Sequence, residues 1–279
     1  MDPLIHRISA WDGLSLVVRE WAGGNTGIPL LCLPGLVRTS GDFAGIAARH
    51  GAGRRVIAVD YAGRGESGRT RNIERYGSEG CLRDLLDICG ALHVPHAITI
   101  GTSFGGLLSM GLAAARPGLI RGTVLNDIGP EIAASGAAVI RTFVANDPKL
   151  ESVGACVDFL RATLPPLSLK SDAEWRAMAA LTYAQGEDGR FHPVWDTRIA
   201  RLLNKPTPDL WPLFGALAAV PVLLAWGEVS AVLLPETVSR MRAARPDMTV
   251  VAVPGIGHAP SLAEPAVAAA LDDFLSGFA

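Results

Sequence analysis

Short apolar runs alternate along most of the chain with segments in which apolar residues recur every three or four positions. Continuous runs of this kind are typical of strands buried on both faces of a sheet, whereas the second spacing indicates helices. Strands are predicted at 29–33, 55–60, 98–100, 122–127, 221–226 and 249–253, with an N-terminal hairpin at 8–21. Helices are predicted at 42–50, 78–92, 107–115, 235–244 and 265–278. This alternation predicts a mostly parallel sheet with helices on both faces.

The regular alternation stops between residues 130 and 215. Helical patterns there are broken by prolines, and no clear β-branched run marks a strand. The segment also holds 8 of the 17 aromatic residues, most of which we expect to fill its own small core. A helical, aromatic-rich insertion after a sheet strand predicts a cap over a site. The expected domains are therefore a core at 1–129 and 216–279 and a helical cap at 130–215.

Composition narrows the class of protein and of partner. Hydrophobic residues make up 49% of the 279 positions and charged residues 19%, which argues for a folded globular protein. A formal net charge of −2 gives no electrostatic case for binding nucleic acid or an anionic membrane. Because neither a signal-peptide pattern nor a membrane-spanning apolar run is visible, we expect a cytoplasmic protein. Its four cysteines are expected to be reduced and buried.

One turn carries the most specific chemical signal in the chain. A strand run ends in the sequence Gly-Thr-Ser-Phe-Gly at Gly101–Gly105, and helical spacing resumes just after it. Because glycine lacks a Cβ atom, Gly101 and Gly105 allow a tight turn and close packing of helix on sheet. Ser103 at the apex is expected to adopt a strained conformation that exposes its hydroxyl as a nucleophile. The N–H of Phe104, at the helix N-terminus, is then a candidate donor to an oxyanion.

A serine hydroxyl needs a base to remove its proton at neutral pH, and histidine is the commonest base. His258 follows the last predicted strand, at the carboxyl edge of the sheet, where ligands and catalytic groups of open α/β sheets gather. Its place after the serine matches the chain order Ser, acid, His that accompanies this kind of turn. We therefore predict that His258 is the general base. The other histidines lie at element ends or in turns: His6, His50, His93, His96 and His192.

Together these motifs resemble those of the α/β-hydrolase family over almost the whole chain. The resemblance is carried by Leu33–Leu36, Asp60–Ser67, Gly101–Gly106 and Gly257–His258. Within the family the chain is similar to capped esterases, lactonases and C–C hydrolase-like serine hydrolases. The resemblance implies an eight-stranded sheet, a helical cap inserted after strand six, and no cofactor or metal. It also implies that the N–H of Leu36 is the second oxyanion-hole donor, beside that of Phe104.

The carboxylate that would orient His258 departs from the pattern of similar proteins. In those proteins the loop after the seventh strand usually reads Gly-Glu-x-Ser-Asp, and its aspartate is the acid. Here Gly227–Ala231 reads Gly-Glu-Val-Ser-Ala, so Ala231 occupies the acid position. Asp127, after the sixth strand, is the favoured replacement, since some relatives place the acid there; it would also suit a turn that opens the cap. Glu228 is nearer in sequence to the lost position but would need a rearranged loop.

Polar residues beside the motifs are expected to have supporting roles. Asp60 and Arg64 are expected to hold the glycine-rich loop 61–68 in place rather than to perform chemistry. Arg38 follows the oxyanion loop, where it would either meet a substrate carboxylate at the pocket mouth or lie solvated on the surface.

The predicted function is hydrolysis of a carboxylic ester or lactone through a Ser103 acyl-enzyme. The substrate is expected to be a small molecule with an apolar acyl or ring portion, which the aromatic-rich cap would accommodate. Two alternatives stay open. One is a C–C bond hydrolase of a keto acid that uses the same residues. The other is a ligand-binding or low-activity hydrolase that is impaired because Ala231 replaces the usual acid.

Overall fold

The computed structural model describes residues 2–24, 27–205 and 208–278 and contains an eight-stranded sheet. The strands in chain order are β1 Leu4–Ser9, β2 Ser15–Trp21, β3 Leu30–Leu33, β4 Val56–Asp60, β5 Ala97–Thr102, β6 Ile120–Asn126, β7 Tyr183–Gln185, β8 Phe191–Pro193, β9 Val222–Gly227 and β10 Thr249–Val253. The sheet has the order β1-β2-β4-β3-β5-β6-β9-β10, and β7 and β8 form a separate hairpin. Strand β2 is antiparallel to β1 and β4, and the pairings from β4 to β10 are parallel. The predicted α/β class and sheet are confirmed.

Helices cover both faces of the sheet, since successive residues of a strand point to opposite sides. The helices are α1 Ala44–His50, α2 Ser78–Ala91, α3 Phe104–Ala115, α4 Ala134–Ala145, α5 Val153–Thr163, α6 Asp172–Ala180, α7 Trp211–Gly215, α8 Pro235–Ala244 and α9 Pro265–Ser276. Leu30 and Cys32 of β3 pack in one apolar cluster with α1 and α9. Leu31 and Leu33 pack in another with α2, α3 and α8. Burial on both faces is the reason that these strands read as continuous apolar runs.

Between β6 and β9 the chain leaves the sheet and forms an insertion, residues 134–215. It contains α4 to α7, a 3₁₀ helix at Thr197–Asn204 and the β7–β8 hairpin; residues 206–207 of the predicted cap lie outside the described residues. Cys156, Leu160 and Tyr183 belong to an apolar cluster of its own. The rings of Phe143 and Tyr183 pack on Trp195, with centroids 5.6 and 6.3 Å away. Tyr183 and Phe159 thus fill the insertion's own core, whereas Trp195 and Phe214 belong to the larger apolar cluster that also covers the sheet.

The β7–β8 hairpin has no counterpart in the sequence pattern, which shows no strand run in this region. Its strands are three residues long, Tyr-Ala-Gln and Phe-His-Pro, and contain no β-branched residue. The turn between them depends on Gly189, which has a φ of +77° and donates its N–H to the Gly186 carbonyl at 3.0 Å. A run this short carries no readable period, so tertiary packing decides its pairing.

Cysteine burial and helix length agree with the expectations from composition. All four cysteines are free and buried, as predicted. Burial raises the pKa of the Cys81 and Cys89 thiols to about 11, so both are protonated at neutral pH. In the described ranges no helix is long and apolar enough to cross a membrane.

Candidate active site

Ser103 lies on the sharp turn between β5 and α3. Its backbone φ of 52° falls in a region that non-glycine residues rarely adopt, so the predicted strain is present. The turn is tight enough that a Cβ on Gly105 would lie 2.0 Å from the Leu33 carbonyl oxygen. A Cβ on Gly101 would lie 2.5 Å from the Gly105 backbone. Only glycine fits these two positions, while Ser103 itself stays partly exposed.

The loop after β10 brings His258 onto Ser103. Its Nε2 atom lies 2.8 Å from the Ser103 hydroxyl oxygen, within hydrogen-bond distance. On the other side of the ring, Nδ1 lies 2.7 Å from a carboxylate oxygen of Asp127. Because an ionised carboxylate only accepts, Nδ1 carries the proton and Nε2 is free to accept from Ser103. The three side chains therefore form one continuous hydrogen-bonded chain.

Asp127 is the carboxylate at the end of β6, and the loop after β9 holds it in place. Its side chain is fully buried. The Gly227 N–H donates to Oδ1 at 2.9 Å, and the Ser230 hydroxyl donates to Oδ2 at 2.6 Å. The Ser230 oxygen in turn accepts the N–H groups of Val232 and Leu233, at 3.1 and 3.2 Å. These contacts give the buried carboxylate the hydrogen-bond donors it needs and hold it in the orientation that faces the imidazole.

Two other residues of this loop lie at or near the position where similar proteins carry the acid. Ala231 and Glu228 are both exposed, and the structure brings Asp127 rather than either of them to His258. Ser230 is the residue of the site that sequence reasoning missed. Its only signal is its place in the Gly-Glu-Val-Ser-Ala sequence, directly before the position of the lost aspartate.

Leu36 and Phe104 carry the two predicted oxyanion-hole donors. Phe104 is the first residue of α3, whose N-terminal N–H groups and dipole favour negative charge. Leu36 follows β3 in a loop close to Ser103, since a Cβ on Gly35 would lie 4.0 Å from the Ser103 Cβ atom. In the described part of the chain neither N–H donates to a protein acceptor. Both donors are therefore available to a ligand at Ser103.

Asp60 and Arg64 hold the glycine-rich loop that follows β4, as the sequence predicts. The Asp60 carboxylate accepts the N–H and the hydroxyl of Ser40, at 2.7 and 2.6 Å. It also accepts the N–H of Glu66 within the loop, at 3.0 Å. Arg64 is completely buried in the same loop. Both polar side chains are used inside the protein rather than presented to solvent.

Arg38 is not a solvated surface arginine. Its side chain is 20% exposed, its guanidinium forks onto the Asp42 carboxylate, and Nη1 donates to the Thr182 hydroxyl at 2.5 Å. Burial lowers the pKa of Arg38, but the adjacent Asp42 carboxylate outweighs burial and holds the pKa above its usual value. Arg38 therefore links the loop after β3 to the insertion.

Comparison with known proteins identifies hydrolases as relatives of this chain. The model of a family described as alpha/beta hydrolase matches residues 30–271. The 3-hydroxybutyrate-oligomer hydrolase of Cupriavidus necator is 31% identical over 273 residues, which cover 94% of this chain and 93% of that protein. The 2-(acetamidomethylene)succinate hydrolase of Mesorhizobium japonicum is 28% identical over 259 residues, which cover 92% and 90%. A crystal structure of an alpha/beta hydrolase from Novosphingobium aromaticivorans superposes with a TM-score of 0.92 at 35% identity, covering 99% of this chain and 98% of that one.

Proposed function

Because the chain belongs to the alpha/beta hydrolase family and is a hydrolase, we propose that it cleaves carboxylic esters or lactones with Ser103 as the nucleophile. The observation that carries this proposal is the hydrogen-bonded chain from Ser103 through His258 to Asp127, with contacts of 2.8 and 2.7 Å. A nucleophile, a base and a group that orients the base are the parts that serine acyl transfer needs.

In the proposed first step, the Ser103 oxygen attacks the carbonyl carbon of the substrate while His258 Nε2 takes the hydroxyl proton. Asp127 stabilises the imidazolium that forms, because its carboxylate accepts the Nδ1–H. The carbonyl oxygen becomes an oxyanion that accepts the N–H groups of Leu36 and Phe104. Such donors are typically worth ~10²–10³ each in rate, because they are fixed before charge develops.

The intermediate then collapses and breaks the bond to the alcohol, and His258 donates its proton to the leaving oxygen. A water attacks the carbonyl of the acyl-enzyme, with His258 again accepting the proton. In the second intermediate the bond between Ser103 and the acyl carbon breaks, His258 returns its proton to the Ser103 oxygen, and the acid is released; in a lactone, alcohol and acid are two ends of one product. Each bond and proton is accounted for by these residues, so we propose no cofactor or metal.

We propose that the insertion acts as the cap of this site. Its Thr182 accepts a hydrogen bond from Arg38 on the loop after β3. On the other side, the carbonyl of Pro166 accepts the N–H of Gly257 at 2.8 Å, directly before His258. The insertion therefore contacts the chain on both sides of the nucleophile, a position that supports a role in excluding water and shaping the pocket.

We propose esters of short hydroxy acids with an apolar carbon chain as the substrate class. The support is the Cupriavidus relative, which is named for 3-hydroxybutyrate oligomers and is similar over nearly its full length. Leu36 and Phe104 support an apolar contact with the acyl portion, because both are partly exposed apolar residues next to Ser103 and pockets for such groups are lined mainly by apolar side chains.

A second candidate is hydrolysis of a C–C bond in a keto acid, with the same residues. It is supported by similarity to the 2-hydroxy-6-oxo-2,4-heptadienoate hydrolase of Pseudomonas putida, which is named for an oxo acid and is 32% identical over 127 residues, 43% of this chain. A ligand-binding or impaired hydrolase has less support. The 2.7 Å contact between Asp127 and His258 supplies a carboxylate even though Ala231 replaces the usual one.

The test is covalent labelling with an alkyl fluorophosphonate, followed by turnover of a chromogenic ester. We expect one adduct, on Ser103, and Ser103→Ala should abolish both labelling and turnover. Ser239→Ala is the matched control, since Ser239 lies on the exposed face of α8 and donates only to the Pro235 carbonyl within the described residues. Labelling that persists in Ser103→Ala would refute the assignment. Turnover of a keto acid but of no ester or lactone would favour the second candidate.

A further inference from the structure

Arg64 is a buried cation without a carboxylate partner in the described ranges. Its side chain is 0% exposed. The guanidinium donates to backbone carbonyls instead: Nε to Leu36 at 2.9 Å, and Nη1 to Ala62 and Tyr76 at 2.7 and 3.2 Å. Its Nη2 is buried and has no hydrogen-bond partner. Burial lowers the pKa of Arg64, which reflects the cost of holding the charge there.

The carbonyl that Arg64 Nε holds lies next to the N–H of the proposed oxyanion hole. The N–H of Leu36 belongs to the peptide between Gly35 and Leu36, and the carbonyl of that peptide accepts the Arg38 N–H at 3.1 Å. The preceding carbonyl, of Pro34, accepts the Tyr61 hydroxyl at 3.2 Å. The following carbonyl, of Leu36, accepts Arg64 Nε at 2.9 Å. Three successive carbonyls are thus held, and the direction of the Leu36 N–H is fixed between them.

The second proposed donor also lies on a residue that contacts Arg64. The Phe104 ring centroid is 5.8 Å from the guanidinium carbon of Arg64. The same ring packs edge-on against Tyr61, with centroids 5.6 Å apart. The guanidinium therefore contacts both residues that carry the donors, Leu36 through its carbonyl and Phe104 through its ring.

The guanidinium can hold these groups because the backbone of its own loop is fixed to the insertion. Arg64 forms an isolated antiparallel bridge with Trp195. The Gly65 N–H donates to the Val194 carbonyl and the Asp196 N–H donates to the Gly63 carbonyl, both at 2.8 Å. Arg64 thus acts from a rigid support, which a positioning group requires.

We propose that Arg64 is a positioning residue for catalysis, which directs the Leu36 N–H toward the oxyanion that develops at the substrate carbonyl. It does not touch the substrate and acts through Leu36. This inference rests on the proposed function, since the Leu36 N–H matters to rate only if an oxyanion forms at Ser103. A residue that served the fold alone would change stability and leave transition-state binding unchanged.

The test compares Arg64→Lys and Arg64→Gln with the wild type. Lysine keeps the charge but cannot reproduce the planar fork that reaches several carbonyls, and glutamine removes the charge as well. We expect kcat for a chromogenic ester to fall by about 10- to 100-fold, below the ~10²–10³ of full donor loss. KM should change by less than about threefold, because the ground-state substrate does not use the oxyanion hole. The Ki of a trifluoromethyl ketone, whose adduct with Ser103 carries an oxyanion, should rise by the same factor as kcat falls.

The matched control is Arg245→Lys. Arg245 is also buried and holds two backbone carbonyls, those of Leu217 and Val220, at 2.6 and 3.1 Å. This variant should lose melting temperature and keep kcat and Ki. Arg64 variants that fold and retain wild-type kcat and Ki would overturn the proposal, as would failure of both to fold. Absence of ester turnover and Ser103 labelling in the wild type would instead refute the proposed function.

Discussion

The role of Asp127 gives the sharpest prediction, because Asp127→Asn keeps the shape of the side chain and turns one acceptor into a donor. In the native site the carboxylate accepts the Gly227 N–H on Oδ1. It accepts the Ser230 hydroxyl and the His258 Nδ1–H on Oδ2. Ser230 cannot reverse its role, because its oxygen already accepts two backbone N–H groups. The site therefore requires one acceptor toward Gly227 and another toward Ser230 and His258, and an amide supplies only one acceptor.

Either orientation of the amide loses a contact. With the NH₂ group toward Gly227, two donors face each other in a fully buried site, which lowers the free energy of unfolding by about 1–3 kcal/mol. With the NH₂ group toward His258, it donates to Nδ1, the ring proton moves to Nε2, and Ser103 faces a donor instead of a base. A wrong tautomer of this kind lowers kcat by ~10⁴, equivalent to about 5.5 kcal/mol at ~1.36 kcal/mol per tenfold. We expect the second orientation to prevail, because the Ser230 hydroxyl hydrogen that it leaves without an acceptor can rotate, whereas the Gly227 N–H is fixed, so kcat should fall by about 10³–10⁴ with the fold intact.

The assay is kcat for a chromogenic ester, with melting temperature and near-UV circular dichroism to confirm folding. The matched variant is Ala231→Asp, which places a carboxylate at the position that similar proteins use. Because residue 231 is exposed and Ser230 is the side chain that contacts Asp127, Ala231→Asp should leave kcat within about threefold in either background. Near-normal turnover in Asp127→Asn, or its recovery in the double variant Asp127→Asn/Ala231→Asp, would refute this reasoning.

Two further predictions concern the pocket and the insertion. If the pocket is apolar, kcat/KM should rise with acyl chain length from acetate esters by roughly fourfold per CH₂, from ~0.8 kcal/mol of burial each, and a flat or falling series would count against it. His192 donates hydrogen bonds to the Asp147 and Asp188 carboxylates, which raise its pKa above the usual value, so the stabilisation from these bonds is complete below about pH 6.5 and is lost as pH rises through the raised value. His192→Gln should therefore lower the free energy of unfolding more at pH 5.5 than at pH 9 in urea denaturation, and an equal loss at both pH values would contradict this.

Local sequence signals were sufficient to predict a feature wherever its structural requirement lay within one element or one turn. Apolar runs such as that of β3 predicted buried strands because both of their faces must be covered. The turn at Ser103 was readable because the steric need for glycine at positions 101 and 105 is met within a few residues. The place of His258 followed from chain order, since the carboxyl ends of parallel strands meet at one edge of a sheet.

Only the tertiary structure shows which carboxylate lies against His258 and which groups hold the site in place. Sequence left Asp127 and Glu228 as candidates, and only the packing of β6 beside β9 sets Ser230 and Gly227 against the Asp127 carboxylate. The sequence predicted that Arg64 holds the glycine-rich loop in place. Its bond to the Leu36 carbonyl joins residues 28 positions apart and follows from no local pattern.

The difference between what sequence predicts and what only tertiary structure decides has a physical reason. Strand, turn and helix signals reflect interactions among residues close in sequence, and therefore leave a period or a required residue type that can be read from the chain. A buried carboxylate or guanidinium is placed by whichever distant backbone groups satisfy its hydrogen bonds. Sequence thus determined the fold class and the positions of Ser103 and His258, while tertiary structure decided which carboxylate lies against His258 and which groups hold it in position.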